Sequence, residues 1–249
     1  SVNVRSMIIG YSKIEIESNK RVKDVMFDDE KFLERNFNTK AVWFIIPDYY
    51  ESLIKKYTLE NSQKIVLSLL ERKLDKSIYE MVLNIVSNSK PPYKKLGEIL
   101  KERDSIFIKN YLKNLSKTEN EILITEAERL LNEKNIFIGA LHGSEHGMIG
   151  IYSIFAMNDR WDVGGLSTNY HPQTEKATIF IYDGYEGGMG YAEAGFERLE
   201  DILKTTYKNI KNCKCVNGCP SCILSPKCGN ANEHLDKLAT EKLLELILG

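Results

Sequence analysis

All five cysteines of this chain lie between Cys213 and Cys228, and the residues before Cys213 contain none. Packing alone does not gather cysteines in this way. Four thiolates on a short loop bent by glycine and proline are typical of a structural Zn²⁺ site, which prefers sulfur-rich tetrahedral ligands. An odd number of cysteines and an intracellular type of composition argue against a disulfide framework. The sequence therefore predicts that a zinc ion folds this loop.

Five cysteines are available for four ligand positions. Cys219 and Cys222 are separated by two residues, which is the commonest spacing in zinc loops. Cys213 and Cys215 are two apart, so on an extended segment both point to the same side. From spacing we predict that the zinc ligands are Cys215, Cys219, Cys222 and Cys228. Cys213 is then a free thiol or a neighbour of the ligands, and the alternative set, in which Cys213 replaces one of the four, stays open.

Local charge is more informative than the net charge of −1, which creates no global positive field. Between Asp201 and Glu233 there is no acidic residue, although five lysines lie there. A basic strip beside a zinc loop is compatible with contacts to nucleic-acid phosphates. The alternative is a solvated helix face whose cations compensate the thiolates. The residues that we predict to contact nucleic acid are Lys208, Lys211, Lys214 and Lys227.

The 249 residues, 43% of them hydrophobic, suffice for one large domain or one domain with an insertion. The chain begins in strand-like alternation, which is typical of a piece of a longer polypeptide. Residues 1–47 predict strands, and residues 49–136 predict long charged helices. The predicted fold class is α+β: a mixed sheet with packed helices, a helical insertion and a C-terminal four-cysteine zinc loop. We predict one zinc-binding domain formed by residues 1–48 and 136–249, with the insertion at 49–135.

Individual elements follow from apolar periodicity and from helix breakers. Alternation predicts a strand at 7–17, with 21–27 as its pairing partner, and short apolar runs predict buried strands at 41–46 and 177–182. Helical spacing predicts helices at 60–86, 94–115, 119–134, 140–156, 191–210 and 234–248. Thr118 and Glu121 have capping-box spacing. Small residues recur at three- and four-residue steps on the helix at 140–156: Ala140, Gly143, Gly147 and Gly150. Each glycine costs about 1 kcal/mol in helix propensity, which predicts that something packs close to this helix.

His142, Glu145 and His146 form the pattern H-x-x-E-H, the spacing of inverted zincins. On a helix the two imidazoles share a face and could hold one metal, with Glu145 as general base. Such a site needs a third protein ligand and an open fourth position. Three carboxylates are candidates for that ligand: Asp183, Glu193 and Glu197. The sequence favours the alternative, a buried polar cluster in which these side chains hydrogen-bond to carboxylates or backbone groups.

Two glycine-containing loops resemble ligand sites only in part. Residues 159–165 contain two carboxylates and a glycine pair, and we predict a packed turn there. The strand, glycine loop and helix at 182–191 resemble a phosphate cradle. They match neither common phosphate-binding pattern, and Asp183 and Glu186 would repel an anion. A structural turn is predicted here too. The chain contains no Walker A motif, so we do not expect it to be an ATPase by itself.

Taken in order, five motifs resemble those of one family. They are Leu141-His142-x-x-Glu145-His146, Asp159-x-x-Asp162-x-Gly164-Gly165, Ile179-Phe-Ile-Tyr-Asp183-Gly-Tyr-x-Gly187-Gly-x-Gly190, Cys213-x-Cys215-x-x-Gly218-Cys219-Pro-Ser-Cys222-Ile-x-Ser-Pro-Lys227-Cys228-Gly-Asn230 and Leu235-Asp236-Lys237. The set resembles the C-terminal zinc-binding (MZB) domain of MrfA-type, Hrq-type and RecQ-like superfamily 2 DNA helicases. The resemblance covers roughly residues 7–47 and 137–248. The long block at 49–136 departs from it, since a shorter connection is expected there.

The resemblance implies a zinc-bound accessory domain of an ATP-dependent DNA helicase that acts in DNA repair. Its partners would be DNA, single-stranded or forked, and the helicase core domains of the same polypeptide, which would carry the ATP site. No apolar run approaches the roughly 18–20 residues that cross a bilayer, so a soluble protein is expected. The resemblance to DNA helicases implies a cytoplasmic, nucleoid-associated location. Two alternatives remain. One is a zinc-dependent hydrolase that uses His142, Glu145 and His146, which the resemblance weakens. The other is a protein-interaction adaptor that uses the helical insertion.

Overall fold

The computed structural model describes residues 1–15, 21–28, 33–101 and 115–249. Seven strands lie within these residues: β1 Val2–Ile8, β2 Gly10–Ile14, β3 Arg21–Met26, β4 Leu33–Thr39, β5 Ala41–Ile46, β6 Val163–His171 and β7 Lys176–Asp183. Eight helices lie within them as well: α1 Tyr49–Lys73, α2 Lys76–Ser87, α3 Pro92–Lys101, α4 Lys117–Leu131, α5 Glu133–Ala156, α6 Tyr191–Glu197, α7 Leu199–Asn212 and α8 Lys237–Leu248. None of the described helices is both long and apolar enough to cross a membrane.

The first four strands form two two-stranded antiparallel sheets, which are called the ribbon below. β1 pairs with β4, from Val2 opposite Thr39 to Ile8 opposite Leu33, and β2 pairs with β3. The ribbon is attached to the rest of the protein at the end of β4. There the Thr39 hydroxyl is buried and donates to the carbonyls of Asp183 and Tyr185, at 3.0 and 2.7 Å.

A three-stranded sheet with the order β5-β7-β6 forms one layer of the domain and packs against the helices. In β7, Ala177, Ile179 and Ile181 are buried and alternate as expected for a strand that turns one face to a helix layer. The predicted α+β class is confirmed. One detail of the predicted mixed sheet is corrected, since the strand pairs in the described residues are all antiparallel. β6 and β7 follow each other through a short turn, and such a hairpin can only be antiparallel.

Helix α5 is the centre of the helical layer and packs against β6, α7 and α8. Helix α1 packs against α5, α8 and α4, so the helical block at 49–135 does not stand apart from the remainder. One hydrophobic cluster joins both segments, with Ile54 and Val66 on one side and Met148, Ile179 and Leu243 on the other. All elements that the structure describes between 49 and 131 are helices. That this block is an insertion in an otherwise continuous domain stays a prediction.

Several predicted boundaries are shifted. The helix expected at 60–86 is divided into α1 and α2 at Leu74 and Asp75, and the helix expected at 191–210 is divided into α6 and α7. Residues 102–114 of the helix expected at 94–115, and 16–17 of the first strand, lie outside the described residues. The strands β4 and β6 were not expected. The Gly164-Gly165 pair suggested a turn, but here β6 runs through it because these glycines let Tyr182 and Glu145 approach the strand.

The capping box begins two residues earlier than predicted. The Ser116 hydroxyl accepts from the backbone N–H of Glu119 at 3.2 Å, and the Glu119 carboxylate accepts from the N–H of Ser116 at 2.9 Å. The predicted pair of Thr118 and Glu121 has the same spacing and lies within the first turns of α4. Spacing alone cannot distinguish the two pairs, and the extended backbone of Ser116 decides where the helix starts.

Candidate metal centre and basic surface

The cysteine loop follows α7 directly and curls around one carbonyl. Cys213 ends α7 in an extended conformation. The N–H groups of Cys222, Ile223 and Leu224 all donate to the Cys219 carbonyl, at 3.0 to 3.2 Å. Gly218 has a φ of 108°, which favours glycine, and a Cβ there would lie 2.7 Å from the Ile223 side chain. The glycine before Cys219 is therefore needed for the turn that brings the thiols together.

Four thiols converge inside this loop. The Sγ atom of Cys213 lies 3.5 Å from those of Cys215 and Cys219, and the Sγ atom of Cys222 lies 3.6 and 3.7 Å from those of Cys215 and Cys219. Four sulfurs around a tetrahedral zinc ion with Zn–S bonds of 2.3 Å are about 3.8 Å apart. The thiols therefore fit zinc with little movement, and the zinc prediction is confirmed by the geometry and by the family described below.

The structure gathers a different set of four cysteines from the one that spacing favoured. Cys213 joins the cluster, whereas the Sγ of Cys228 lies 3.4 Å from the Nε2 of His142 and belongs to a second group of side chains. The extended backbone at Cys213 explains the result, since it turns the side chains of Cys213 and Cys215 to the same side. Spacing leaves Cys213 open as an alternative ligand but favours the more distant Cys228.

Lys237 positions the first two cysteines of the cluster. Its side chain is buried, and its Nζ donates to the carbonyls of Cys213 and Cys215, both at 2.7 Å. Two hydrogen bonds from one ammonium group hold this short segment in place, and the positive charge compensates the thiolates. Lys237 is not among the residues that the sequence predicts to act at the zinc site. The signal was its place in the Leu235-Asp236-Lys237 motif, directly after the cysteine loop.

Asp236 connects the same region to α4. One oxygen of its carboxylate accepts from the N–H of Ala239 at 2.9 Å and so caps α8, and the other accepts from the Nε of Arg129 at 2.7 Å. Arg129 is buried and also donates to Glu126 at 2.5 Å. Because two carboxylates surround it, the pKa of Arg129 is raised despite its burial. This buried ion triad fixes the start of α8, and with it Lys237, relative to α4.

Three of the four predicted nucleic-acid contacts share one exposed region. Lys208 and Lys211 are three residues apart on α7, and Lys214 lies in the loop between Cys213 and Cys215. Neither Lys208 nor Lys214 forms an ion pair with a residue that the structure describes. Lys211 is exposed, and its Nζ lies 2.9 Å from the hydroxyl of Tyr207.

Lys227 has a different environment from the other three lysines. It is half-buried, and its Nζ donates to the carbonyls of Arg160, at 3.0 Å, and Val163, at 2.5 Å. Burial lowers its pKa. The ammonium thus holds the loop after the zinc site against the start of β6. Because its ammonium group already donates to two backbone carbonyls, Lys227 is a poor phosphate ligand. Lys227 therefore differs from the exposed Lys208, Lys211 and Lys214.

The H-x-x-E-H side chains lie on α5 and make the kind of polar cluster that the sequence favoured. The Nδ1 of His142 is 3.1 Å from the Glu233 carbonyl, and the Nδ1 of His146 is 2.8 Å from the Ile223 carbonyl. Burial lowers the pKa of His146 to about 4 and raises that of Glu145 to about 7. The Glu145 carboxylate accepts from the Ser167 hydroxyl at 2.6 Å.

None of the three carboxylates proposed as a third metal ligand belongs to the groups that could hold a metal among the described residues. Asp183 is fully buried and accepts from the N–H groups of Met189, at 2.5 Å, and Ala192, at 2.7 Å. It thereby occupies the place at the start of α6 where a phosphate would bind, so the glycine loop is a structural turn, as predicted. Glu193 is exposed and lies 3.5 Å from Lys40.

Comparison with known proteins gives a consistent result. The family of the MrfA Zn-binding domain (MZB) matches residues 144–223. The uncharacterized protein MJ1572.1 of Methanocaldococcus jannaschii is 45% identical over 111 residues, which cover 43% of this chain and 99% of that protein. The uncharacterized ATP-dependent helicase YprA of Bacillus subtilis is 39% identical over 97 residues, which cover 39% of this chain and 12% of the helicase.

The ATP-dependent helicase HRQ1 of Saccharomyces cerevisiae is 28% identical over 124 residues, which cover 45% of this chain and 11% of the helicase. Among solved structures, the DUF1998 helicase MrfA bound to DNA aligns with 98% of this chain and 22% of its own, with a TM-score of 0.44 and 19% identity. The chain therefore spans almost all of MJ1572.1 but only a small part of the helicases that it matches.

An α+β core that carries four converging cysteines defines a zinc-binding domain. The chain belongs to the family of MrfA-type zinc-binding domains found in MrfA- and Hrq-type helicases, as the motifs had indicated.

Proposed function

We propose that this chain is the zinc-binding accessory domain of an ATP-dependent DNA helicase and that it helps to bind the DNA strand and to support the helicase core. The observation that carries the proposal is its relation to YprA and HRQ1. Both are named ATP-dependent helicases, and the matching segment is only 12% and 11% of their length. In both helicases the matching segment is thus one part of a larger enzyme. Nucleotide binding and unwinding would then belong to the helicase core domains, in keeping with the lack of a Walker A motif in this chain.

The zinc ion in this proposal is structural. When bound, it supplies the cross-links of a loop that has little regular structure of its own, and metal binding then contributes to folding free energy. We assign the ligands to Cys213, Cys215, Cys219 and Cys222, because their sulfurs already lie at nearly tetrahedral separations. Lys237, at the capped start of α8, holds the loop in place through its hydrogen bonds to the Cys213 and Cys215 carbonyls. Four protein ligands fill the tetrahedral coordination sphere and leave no position for a substrate, which is typical of structural zinc.

The DNA contacts in this proposal come from the exposed lysines beside the zinc loop. Lys208, Lys211 and Lys214 form a strip of positive charge that leads from α7 into the loop. Phosphate contacts of this kind give affinity without sequence preference. The strip suits a single strand or the single-stranded arm of a fork, because it is short and has no element shaped to enter a groove. Such a role would place the protein on chromosomal DNA, at the nucleoid, and in DNA repair.

The test is DNA binding measured by fluorescence anisotropy at several salt concentrations, on single-stranded, forked and duplex oligonucleotides. The variant replaces Lys208, Lys211 and Lys214 with Gln. If each lysine meets one phosphate, the slope of log K against log salt for single-stranded DNA should fall in magnitude by about 2, since each contact contributes about 0.7. Binding should be weaker on all sequences alike.

The matched control replaces three exposed lysines of the helical block, Lys56, Lys64 and Lys94, with Gln and so removes the same charge. It should leave the salt slope unchanged. An equal decrease of the salt slope in both variants would mean that net charge rather than a defined strip attracts the DNA. Absence of salt-dependent binding in the wild-type chain would overturn the DNA contact and favour a protein-interaction adaptor instead.

A further inference from the structure

A second group of potential metal ligands lies outside the four-cysteine cluster. His142 and His146 project from the same face of α5, and Cys228 approaches them from the segment that follows the cysteine loop. The Sγ of Cys228 is 3.4 Å from the Nε2 of His142, and the two imidazole rings are 4.3 Å apart, centroid to centroid. One ligand atom from each of the three side chains lies within 4.8 Å of the other two.

Both imidazoles are oriented for metal binding. The Nδ1 of His142 faces the Glu233 carbonyl at 3.1 Å, and the Nδ1 of His146 faces the Ile223 carbonyl at 2.8 Å. A carbonyl oxygen can only accept a hydrogen bond, so each neutral ring carries its proton on Nδ1 and has a lone pair on Nε2. Metal-binding histidines show this arrangement, in which a backbone acceptor fixes both the tautomer and the ring.

Cys228 is held on a closed turn. The Asn232 side chain accepts from the N–H of Ser225 at 2.7 Å and donates to the Ser225 carbonyl at 3.0 Å. The backbone N–H of Asn232 faces the Cys228 sulfur at 3.4 Å. This contact fixes the position of the sulfur on the turn. The third ligand is therefore placed by its own loop, independently of the four-cysteine cluster.

The group opens into a cavity of about 280 Å³. His142, His146 and Cys228 line one part of it, and Ser167 and Tyr182 line another. Three protein ligands beside such a space leave room for a fourth ligand from solvent. Among the described residues that line the cavity there is no methionine, which is the usual weak axial ligand of copper in a site with two histidines and one cysteine.

We propose that His142, His146 and Cys228 bind a second Zn²⁺ ion, through the two Nε2 atoms and the Cys228 sulfur, with water in the fourth position. Imidazole and thiolate together favour zinc over the hard cations Mg²⁺ and Ca²⁺. The ion would join α5 to the loop between the cysteine cluster and α8, and so would fix the side of the loop that the first zinc ion does not reach.

The test is zinc content per chain after dialysis against a weak chelator. Wild-type protein should hold two zinc ions, and the double variant His142→Ala/His146→Ala should hold one. The matched control is His171→Ala, a histidine on β6 that belongs neither to the group nor to the lining of the cavity, and it should keep two. One zinc ion in the wild-type chain, or two in the double variant, would overturn the proposal and leave Cys228 and His142 as a thiol–imidazole hydrogen bond.

X-ray absorption at the zinc edge answers the same question if the double variant fails to fold. In the wild-type chain two sites would present five sulfur ligands and two imidazole nitrogens to two ions, with Zn–S bonds of about 2.3 Å and Zn–N bonds of about 2.0–2.1 Å. A shell of sulfur alone, at four per zinc ion, would contradict the proposal. This result does not depend on DNA binding, so the proposed helicase role can fail or hold separately.

Discussion

At the scale of single residues, the cysteine loop depends on groups that are not cysteines. Lys237 reaches from α8 to the carbonyls of Cys213 and Cys215, and Asp236 beside it caps that helix while accepting from Arg129. A buried ammonium group is costly unless its hydrogen bonds are satisfied, and here two carbonyls satisfy it. The side chain thus acts as a positioning group, and its loss would free the segment that carries two of the four thiols.

We predict that Lys237→Met lowers both stability and zinc affinity. Methionine keeps most of the apolar stem but leaves two carbonyls without their charged donor. The free energy of unfolding should fall by about 1.5–3 kcal/mol, the range for hydrogen bonds to charged groups. Urea unfolding with zinc present measures the first effect, and chelator competition measures the second.

Lys208→Met is the control for this prediction, because Lys208 is exposed on α7 and makes no ion pair with a described residue. Its effect on unfolding should stay within about 0.5 kcal/mol. If both variants lose the same stability, or if zinc affinity is unchanged in Lys237→Met, Lys237 does not position the cysteines.

At the scale of elements, α5 owes its central position to its small residues. A Cβ on Gly139 would lie 2.2 Å from the His234 carbonyl oxygen, and one on Gly143 would lie 2.1 Å from the Thr240 hydroxyl. On Gly147 it would lie 2.8 Å from a methyl group of Thr206. Helices α7 and α8 therefore approach the α5 backbone more closely than side chains would allow. Their ends carry the zinc loop, so this packing decides where the loop sits.

We predict opposite effects for two glycine-to-alanine changes on the same helix. Gly143→Ala should destabilise the protein, because the methyl group meets the buried Thr240 side chain and costs more than the roughly 1 kcal/mol that alanine gains in helix propensity. Gly150→Ala should stabilise by about 0.5–1 kcal/mol, because nothing lies within 4 Å of its added Cβ.

Thermal or urea unfolding of the two variants beside wild type measures the difference. Since both changes have the same effect on the unfolded chain, the gap between them reports only on the packing of α5. A stabilising Gly143→Ala would show that α8 can move away from α5 at little cost.

At the scale of the whole molecule, the sequence predicted the fold class and the family better than it predicted which side chains lie together. Strand-like alternation and helical spacing predicted the α+β class, the clustered cysteines predicted the zinc ion, and the five ordered motifs predicted the family. These signals are local or are read in order along the chain. Of the small residues on the glycine face of α5, Gly143 and Gly147 do lie against neighbouring helices, whereas Gly150 has open space around it.

Spacing cannot decide whether Cys213 or Cys228 completes the four-cysteine cluster. The packing of the loop on α5 decides it, because that packing places Cys228 beside His142 and away from the other thiols. Cys228 lies 86 residues from His142 in sequence, and only the packing of the loop on α5 brings them together. The same is true of Lys227, whose partners at Arg160 and Val163 belong to a distant turn. The strand β6 was not predicted for a related reason. Its glycine pair is typical of a turn in sequence, and only the folded structure shows that Tyr182 and Glu145 pack against these glycines.

The zinc content of Cys213→Ser beside wild type tests whether Cys213 completes the four-cysteine zinc site. Both proteins would be dialysed against a weak chelator and measured by elemental analysis. The geometry predicts that Cys213→Ser holds at least one zinc ion fewer per chain, because three sulfurs bind zinc more weakly than four. A variant that keeps the full wild-type zinc content would contradict this ligand set and would return the fourth position to Cys228.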